Sequence, residues 1–362
     1  MRRKLLIAIV YNEPTVQTRE GRKFISETGV LQEGTNKMTT ATGEQVLVDL
    51  SEVGVVEAME DIRVALVSLG HKAVIFNVDG NIHRLVDFLE EMQPDLVFNL
   101  CESHGAESMG EMYIAGLYEV LDIPYTGSPP LTLGIALKKA RAKEILAYNG
   151  IPSPKFRLYK AWTRIAVDES MEFPMIVKPS HEDASVGIDD QSIVQNITEL
   201  RRRIRHIIEQ YDQSALVEEY IPGRELNVAI IGNSKPIVLP ISEIDFSMVP
   251  ENLHRIVSYE AKWVKGTAIY EATRGICPAP LSSSAEARVK EVALRAYQIL
   301  GCRDYARVDM RLAKDNKLYL LEVNPNPDLS DDAGFARSAR RYGFTFAEMV
   351  GKIVQFAIER TP

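Results

Sequence analysis

Two strands near the end of the chain carry carboxylate side chains that a hairpin would bring face to face. Strand side chains alternate between the two faces, and Asp315-Asn316 supplies natural turn residues. A turn centred there pairs Asp309 with Glu322 and, on the same face, Arg307 with Asn324. The alternation also predicts an apolar face, which consists of Val308, Met310 and Leu312 on the first strand and Tyr319, Leu321 and Val323 on the second.

Like charges directly opposite each other destabilise a hairpin, so a cation is expected between Asp309 and Glu322. With the amide oxygen of Asn324, these carboxylates are the hard oxygen ligands that Mg²⁺ prefers. Arg307 beside them is suited to binding a phosphate or to stabilising charge on a transferred phosphoryl group. The pattern also fits a solvated polar face on which Arg307 neutralises Asp309.

Two further segments fit a nucleotide site. A buried strand over residues 173–178 delivers Lys178 towards the small-residue turn of residues 182–187, where N–H and ammonium groups can hold a phosphate. Acidic side chains in residues 216–226 can accept hydrogen bonds from an adenine amino group and a ribose hydroxyl. Each segment alone also fits an ordinary strand–turn unit, and the chain has no G-x-x-x-x-G-K-[ST] motif.

Alternating strands and helices in the first third predict a parallel sheet with helices on its faces. The predicted strands cover residues 5–10, 73–76 and 96–98, and the predicted helices cover residues 54–69 and 82–92. Residues 12–45 are polar and lack periodicity, so a long loop is predicted there.

Turn residues at 124–130 predict a boundary, after which the elements change in kind. Helices are predicted over residues 132–149, 198–210, 284–300 and 345–359, and strands over 173–178, 214–221 and 225–231. Apart from its one helix, the stretch 236–325 is predicted to be largely β. Three α/β domains fit this order and the length of the chain.

The composition is that of an ordinary globular protein: 362 residues, 46% hydrophobic, 25% charged, with a formal net charge of −8. No apolar run approaches the roughly 18 residues of a membrane helix, and the apolar stretch after the basic start is too short for a signal sequence. Three cysteines without C-x-x-C spacing indicate reduced thiols and a cytoplasmic protein. The acidic balance argues against non-specific nucleic-acid binding.

Taken together, these segments resemble the ATP-grasp superfamily and, within it, the D-alanine–D-alanine ligase family. The resemblance covers the chain from about residue 46 to residue 355. Its anchors are residues 123–128, Lys139 with Lys143, residues 173–187, 217–225, 259–262, 307–309 and 322–324. It implies a parallel α/β N-terminal (pre-ATP-grasp) domain over residues 1–131, followed by a two-domain ATP-grasp fold with a central domain over 132–235 and a catalytic domain over 236–362.

The resemblance also implies a role for each matched position. ATP phosphates would contact Lys139, Lys178, Ser185 and Lys262; adenine would contact Glu218, Glu219 and Ile221; and ribose would contact Glu225. Asp309, Glu322 and Asn324 would hold two Mg²⁺ ions, for which Mn²⁺ can substitute. Arg307 and Lys262 would stabilise the transferring phosphoryl group, and Glu52 lies one position from the catalytic glutamate of the family.

The implied reaction phosphorylates a carboxylate with ATP, after which an amine attacks the acyl phosphate and forms an amide. The implied partners are ATP and small carboxylate and amine substrates, such as amino acids or peptides, with neither nucleic acid nor membrane. A homodimer formed through the N-terminal domain is a further implication.

The departures from the family lie at the amino-acid pocket. Ala184 stands at a serine position of the family, Trp263 at a tyrosine, Asp328 at a glycine and Glu102 at a histidine. We therefore predict a ligase whose substrates are not two D-alanines. The alternatives are a true D-alanine–D-alanine ligase of peptidoglycan synthesis and, in another class, a non-catalytic ATP-binding regulator.

Overall fold

The structure, a computed structural model, describes residues 4–18, 21–25, 29–31, 35, 37–40, 43–48, 50–103, 108–161, 164–166 and 170–360. The strands are β1 (Leu6–Tyr11), β2 (Thr15–Thr18), β3 (Gly21–Phe24), β4 (Gly29–Leu31), β5 (Lys37–Thr40), β6 (Gln45–Leu47), β7 (Lys72–Asn77), β8 (Leu96–Asn99), β9 (Phe156–Tyr159), β10 (Met175–Pro179), β11 (Ile193–Val194), β12 (Ala215–Glu219), β13 (Gly223–Ile231), β14 (Ile237–Val238), β15 (Ser242–Asp245), β16 (Arg274–Ile276), β17 (Tyr305–Ala313) and β18 (Leu318–Asn324).

The helices are α1 (Leu50–Ser68), α2 (Ile82–Met92), α3 (Gly110–Val120), α4 (Pro130–Leu137), α5 (Lys139–Tyr148), α6 (Ile197–Tyr211), α7 (Tyr259–Trp263), α8 (Ala268–Glu271), α9 (Ser283–Ile299), α10 (Gly334–Tyr342) and α11 (Phe346–Glu359). Over the described ranges, none of these helices is both long enough and apolar enough to cross a bilayer.

The first sheet is parallel, as predicted. Strand β1 lies between β7 and β8 and pairs with both in parallel. Its side chains are buried on both faces because helices pack against each side, which explains its continuous apolar run. Just after the carboxyl end of β8, Leu100, Glu102 and Ser103 line the cavity described below.

Two antiparallel sheets follow. The first has the order β11-β10-β12-β9, with α6 packed on it, and the second has the order β16-β15-β13-β17-β18. Helix α9 packs against the apolar face of the second sheet, which leaves the opposite, polar face of β13, β17 and β18 for chemistry.

The prediction of a long loop over residues 12–45 was wrong for the described part of that stretch. It contains the hairpin β2–β3 and the strands β4, β5 and β6 in antiparallel pairing. Its Thr and Val side chains favour strands because they are β-branched, although their polar neighbours suggested a loop. Ile25, Met38 and Val46 are buried in a small core with Val264, with Trp263 packed against it, so this insertion covers the substrate side of the fold.

The helix predicted over residues 132–149 is two helices, α4 and α5, separated at Lys138, whose ψ of 73° is not helical. The break has a packing cause. Leu133 belongs to the core of the first sheet, whereas Ala142 and Leu146 belong to the core of the last sheet. One straight helix could not place these side chains in both cores.

Among the described residues, four helices were missed: α3, α7, α8 and α10. Helices α7 and α8 interrupt the stretch 236–325 that was predicted to have a single helix, and they are short, with four or five residues each. Too few residues are present for a 3.6-residue periodicity to emerge, so their start is marked only by the caps Ser258 and Thr267, whose side chains accept from backbone N–H groups.

The hairpin of β17 and β18 contains an irregularity that alternation did not predict. Asp309 lies opposite Glu322, but Met310 lies opposite Leu320, so Leu321 is an extra residue in a bulge. The bulge changes which side chains face the core: Leu320 is fully buried, whereas Tyr319 and Leu321, predicted to be apolar-face residues, are half-buried. The predicted apolar face of β17 is correct.

This register gives a stability test with a built-in control. Leu320→Ala should lower the free energy of unfolding by about 2–5 kcal/mol because it opens a cavity in the core. Leu321→Ala, one residue away, should cost about 1 kcal/mol or less because the side chain is only half-buried. Urea denaturation measures both, and equal losses would contradict the bulge.

Candidate functional site

The polar face of the last sheet centres on Asp309, which is only 6% exposed. Arg307 donates from Nε to the two Asp309 oxygens at 2.9 and 3.1 Å, and from Nη2 to Oδ2 at 2.9 Å. From the neighbouring strand, Asn227 Nδ2 donates to Asp309 Oδ1 at 2.7 Å. The predicted pairs of Asp309 with Glu322 and of Arg307 with Asn324 are present.

The residues expected to hold a metal, Asp309, Glu322 and Asn324, supply only oxygen donors from two adjacent strands. Asn324 Oδ1 accepts from the Asn326 N–H at 3.0 Å and keeps its second lone pair. In the part of the chain that the structure covers, no three His, Cys, Asp or Glu side chains are arranged to hold a metal ion. A site here therefore requires the Asn324 carboxamide, and this donor set fits Mg²⁺.

Glu322 is held in its ionised form. Burial alone would raise its pKa, but Lys139 and Lys178 lower it well below its ordinary value. The nearer cation is Lys139, whose Nζ lies 3.6 Å from Glu322 Oε2 and also pairs with Asp183. A carboxylate that stays charged is the form that can bind a cation.

Behind this face lies a buried group of charges on three different elements. Glu218, at the end of β12, is 2% exposed, and its two oxygens lie 2.9 Å from Lys143 Nζ and 2.9 Å from Lys178 Nζ. Burial would raise the pKa of Glu218, but the two ammonium groups lower it. Burial and the neighbouring Lys178 lower the pKa of Lys143.

The turn over residues 182–187 has a left-handed backbone at Ala184 (φ 55°) and Ser185 (φ 64°). Non-glycine residues rarely adopt this conformation, so neighbouring contacts must hold the turn. Trp263 supplies one: its indole Nε1 donates to the Ala184 carbonyl at 2.7 Å. The Lys262 ammonium lies 4.7 Å from the centroid of the Trp263 ring, within the range of a cation–π contact.

A cavity of about 320 Å³ opens between this turn, the first sheet and the polar face. The four residues at which the chain departs from the family all line it, namely Glu102, Ala184, Trp263 and Asp328. The cavity is also lined by Lys262, Arg307 and Asn324. The four departing positions therefore share one cavity with residues expected to bind phosphate or metal.

Asp328 is half-buried at this cavity, and its Oδ1 accepts from the N–H and the hydroxyl of Ser330 at 2.9 and 2.8 Å. The neighbouring Asp331 and Asp332 are exposed. Burial lowers the pKa of Lys262, and so does Arg307, whereas Asp328 acts in the opposite direction. Asp328 is therefore part of the electrostatic environment of the cavity.

The remaining expected residues lie around the hinge after β12. Glu219 is 3.6 Å from Lys155, Ile221 is half-buried beyond the strand, and the Glu225 carboxylate lies 2.8 Å from Arg311 Nη2. Burial raises the pKa of Glu225, and Arg311 opposes that rise. Glu52 belongs to the first turn of α1, but its side chain lies outside the described part of the structure.

Sequence reasoning gave no role to several residues that the fold brings to the site. Lys143 is one helical turn from Lys139, and that spacing places both on one face of a helix. Asn227 is another: it lies two residues from Glu225 on β13 and so shares the polar face of that strand. Glu111, at the start of α3, is buried beside the cavity, and burial followed by repulsion from Glu102 raises its pKa well above the ordinary value.

Comparison with known proteins now bears on this site. A family model described as the D-ala D-ala ligase C-terminus matches residues 143–355. A D-alanine–D-alanine ligase of Desulforudis audaxviator is 34% identical over 300 residues, covering 82% of this chain and 91% of that protein. The chain belongs to the D-alanine–D-alanine ligase family. It is an ATP-grasp ligase of the ATP-dependent, ADP-forming kind that makes carbon–nitrogen bonds.

Two other comparisons add to this assignment. The uncharacterised protein y4sG of Sinorhizobium fredii is 30% identical over 308 residues, covering 83% of this chain and 87% of that protein. A crystal structure of D-alanine–D-alanine ligase from Bacillus anthracis, solved with ATP, superposes with a TM-score of 0.70 at 22% identity, over 98% of both chains. The predicted ATP-grasp fold is therefore confirmed.

Within this ligase family, the contact between Trp263 and Ala184 is the feature of this chain that is simplest to test. Trp263→Phe removes the N–H that holds the left-handed turn, so the loop over residues 182–187 should open more often. We expect limited proteolysis to cut the loop about fivefold faster, as the loss of one hydrogen bond of about 1 kcal/mol predicts. Tyr220→Phe, which removes a hydroxyl bonded to the Arg255 carbonyl elsewhere, is the control. Equal cleavage in both variants would contradict the role of Trp263.

Proposed function

We propose that the chain is a carboxylate–amine ligase that forms a peptide or amide bond through an acyl phosphate, and that its substrates are not two D-alanines. The observation that supports this is the single cavity in which Arg307 and Lys262 face Ala184, Trp263 and Asp328. The groups suited to phosphoryl transfer are kept, whereas the substrate side differs from that of the family.

For the nucleotide, we assign the phosphates to Lys139, Lys178, Lys262 and Ser185, the adenine to Glu218, Glu219 and Ile221, and the ribose to Glu225. Their placement supports this assignment, since Lys178 meets Glu218 at the junction of β10 and β12 and the hinge follows directly. Adenine contacts would come from backbone groups as well as side chains, because the Glu218 carboxylate already lies between two lysines.

We assign Asp309, Glu322 and Asn324 as ligands of Mg²⁺, with two ions as in the expectation from the family and Mn²⁺ as a substitute. When bound, the ions would neutralise charge on the phosphate oxygens. Two ion pairs would have to open for this: that of Arg307 with Asp309 and that of Lys139 with Glu322. Arg307 would then face a phosphate oxygen instead, whereas Lys139 would still have Asp183 as a partner.

The reaction begins when an oxygen of the donor carboxylate attacks the γ-phosphorus of ATP and ADP leaves. The amine nitrogen of the acceptor then attacks the acyl carbon, phosphate leaves, and the nitrogen releases a proton. Arg307, 17% exposed at the cavity, would stabilise the negative charge that develops in both steps. The chain contributes mainly position and fixed positive charge.

The test is the release of ADP with D-alanine alone, compared with a panel of amino acids and small peptides. We expect turnover with a pair from the panel that exceeds turnover with D-alanine, together with a product other than D-alanyl-D-alanine. Robust turnover with D-alanine only, yielding D-alanyl-D-alanine, would overturn the altered specificity and establish the alternative, a true D-alanine–D-alanine ligase. Relatives of that name at 31–34% identity keep this alternative in view. The family assignment favours a ligase over the non-catalytic regulator.

The remaining expectations are part of the proposal. The division into domains over residues 1–131, 132–235 and 236–362 is supported in part by the first sheet and by the sheet of β9–β12, which have cores of their own. Strand β13 lies in the central range but pairs with β15 and β17 of the catalytic range, so the second boundary does not follow the sheets. The free thiols of Cys101, Cys277 and Cys302 support a cytoplasmic location. Assembly as a homodimer is proposed from the family alone.

A further inference from the structure

Lys143 is a buried cation for which the proposed reaction has no use. It lies on α5, is 1% exposed, and meets Glu218 Oε1 at 2.9 Å. The second oxygen of Glu218 meets Lys178 at the same distance, and the Lys178 side chain is 10% exposed. One carboxylate therefore holds two ammonium groups, one of them fully enclosed and the other slightly exposed.

The two lysines differ in what they can do when a triphosphate arrives. Lys178, on the more exposed side, can turn from Glu218 to a phosphate oxygen. Glu218 would then keep a single partner. If Lys143 were absent, Glu218 would be left as a buried carboxylate without any partner, which is strongly unfavourable.

We propose that Lys143 is a positioning residue for nucleotide binding: it keeps Glu218 paired, so that Lys178 can leave Glu218 and bind the ATP phosphates. This inference rests on the proposed ATP site. The free energy of moving Lys178 from Glu218 to a phosphate thus depends on Lys143, although Lys143 does not touch the nucleotide. The depressed pKa of Glu218 is consistent with a carboxylate that two cations keep charged.

The test compares ATP binding in the full chain, measured by calorimetry with Mg²⁺ present. Lys143→Gln keeps a hydrogen-bond donor beside Glu218 but removes the charge, and its Kd for ATP should rise about tenfold or more, as expected when one charge-assisted interaction is lost. The kcat at saturating ATP should stay within about twofold, because no reacting group has changed. Lys143→Met is the second charge-free variant if the first does not fold.

A double-mutant cycle with Glu218→Gln separates positioning from direct contact. When Glu218 carries no charge, it needs no second cation, so Lys143→Gln should not weaken ATP binding any further. If Lys143→Gln raises Kd equally in both backgrounds, Lys143 acts on the nucleotide directly and the inference is overturned. Lys290→Gln breaks an exposed pair with Glu286 and serves as the control, with unchanged ATP affinity expected.

The outcomes also separate this inference from the proposed function. Wild-type protein that fails to bind ATP would overturn the proposed nucleotide site itself. Wild-type protein that binds ATP, with Lys143→Gln and Lys143→Met binding equally well, would overturn only the role of Lys143. A variant with lowered thermal stability but unchanged Kd would give Lys143 a structural role alone.

Discussion

Asp309→Asn is expected to lower the rate of ADP release by about 10²–10³-fold while ATP still binds. The substitution keeps the shape of the side chain and removes its charge. Arg307 and Asn227, which both donate to Asp309, would then contact a neutral amide. The proposed metal ligands would keep only one carboxylate, Glu322, so charge developing in phosphoryl transfer would be less well neutralised.

The same hairpin offers a matched control for this experiment. Asp315 lies in the turn that joins β17 and β18, is 54% exposed and pairs only with Lys317 in the described structure. Asp315→Asn makes the same chemical change on the same hairpin, and its rate of ADP release should equal that of the wild type. A coupled assay for ADP and calorimetry with ATP measure rate and binding separately. Near-normal turnover by Asp309→Asn would contradict the proposed role of Asp309.

The pairing of Asp309 with Glu322 was predictable from strand alternation, although the turn geometry assumed for it was incomplete. Near the turn, the observed strand pairs differ by one residue from the predicted ones; Leu312, for example, pairs with Leu318. The bulge at Leu321 restores the predicted register at Asp309. The bulge places Leu320 in the core that α9 covers, and that core joins elements far apart in the sequence, which local alternation does not report. The carboxylates were therefore placed correctly, but three side chains of β18, namely Tyr319, Leu320 and Leu321, were assigned to the wrong face.

The group formed by Lys143, Glu218 and Lys178 was beyond prediction for a different reason. Its members lie on α5, β10 and β12, and their meeting depends on the way that the middle sheet packs against the helix after the break at Lys138. Sequence patterns report periodicity within one element, whereas this cluster is a contact between elements. The resemblance to the family matched Lys143 but attached no role to it.

The four departures at Glu102, Ala184, Trp263 and Asp328 show what a family resemblance and a structure add to each other. The resemblance singled out these positions one at a time, far apart along the chain. The structure places all four on one cavity and shows that the Trp263 indole donates to the backbone carbonyl of Ala184, so two of the positions are in direct contact. Where the family has a tyrosine hydroxyl and a serine hydroxyl, this chain has an indole N–H and a methyl group, and the indole donates to a backbone carbonyl.

Asp304→Ala is expected to lower the free energy of unfolding by about 2–4 kcal/mol, because the buried Gly127 N–H and the Asn233 amide lose their acceptor and the partly exposed Arg360 loses its carboxylate partner. Asp304 is fully buried and accepts from Arg360 Nε at 3.1 and 3.2 Å, from Arg360 Nη2 at 3.0 Å, from Asn233 at 3.1 Å and from the Gly127 N–H at 2.9 Å. These donors belong to the end of the last helix, the turn after β13 and the segment that joins the first sheet to α4.

The loss should appear as lower stability without a change in the activity of each folded molecule, because Asp304 lies outside the cavity. Urea denaturation measures the first quantity, and the rate of ADP release per folded protein measures the second. Asp315→Ala, an exposed aspartate in a turn, should change stability by about 0.5 kcal/mol or less. The stability loss of Asp304→Asn should lie between those of Asp304→Ala and Asp315→Ala. The asparagine keeps an acceptor for the Gly127 N–H but removes the charge that Arg360 faces. A loss of less than about 1 kcal/mol in Asp304→Ala, within the range of single hydrogen bonds, would show that these three segments are joined mainly by other contacts.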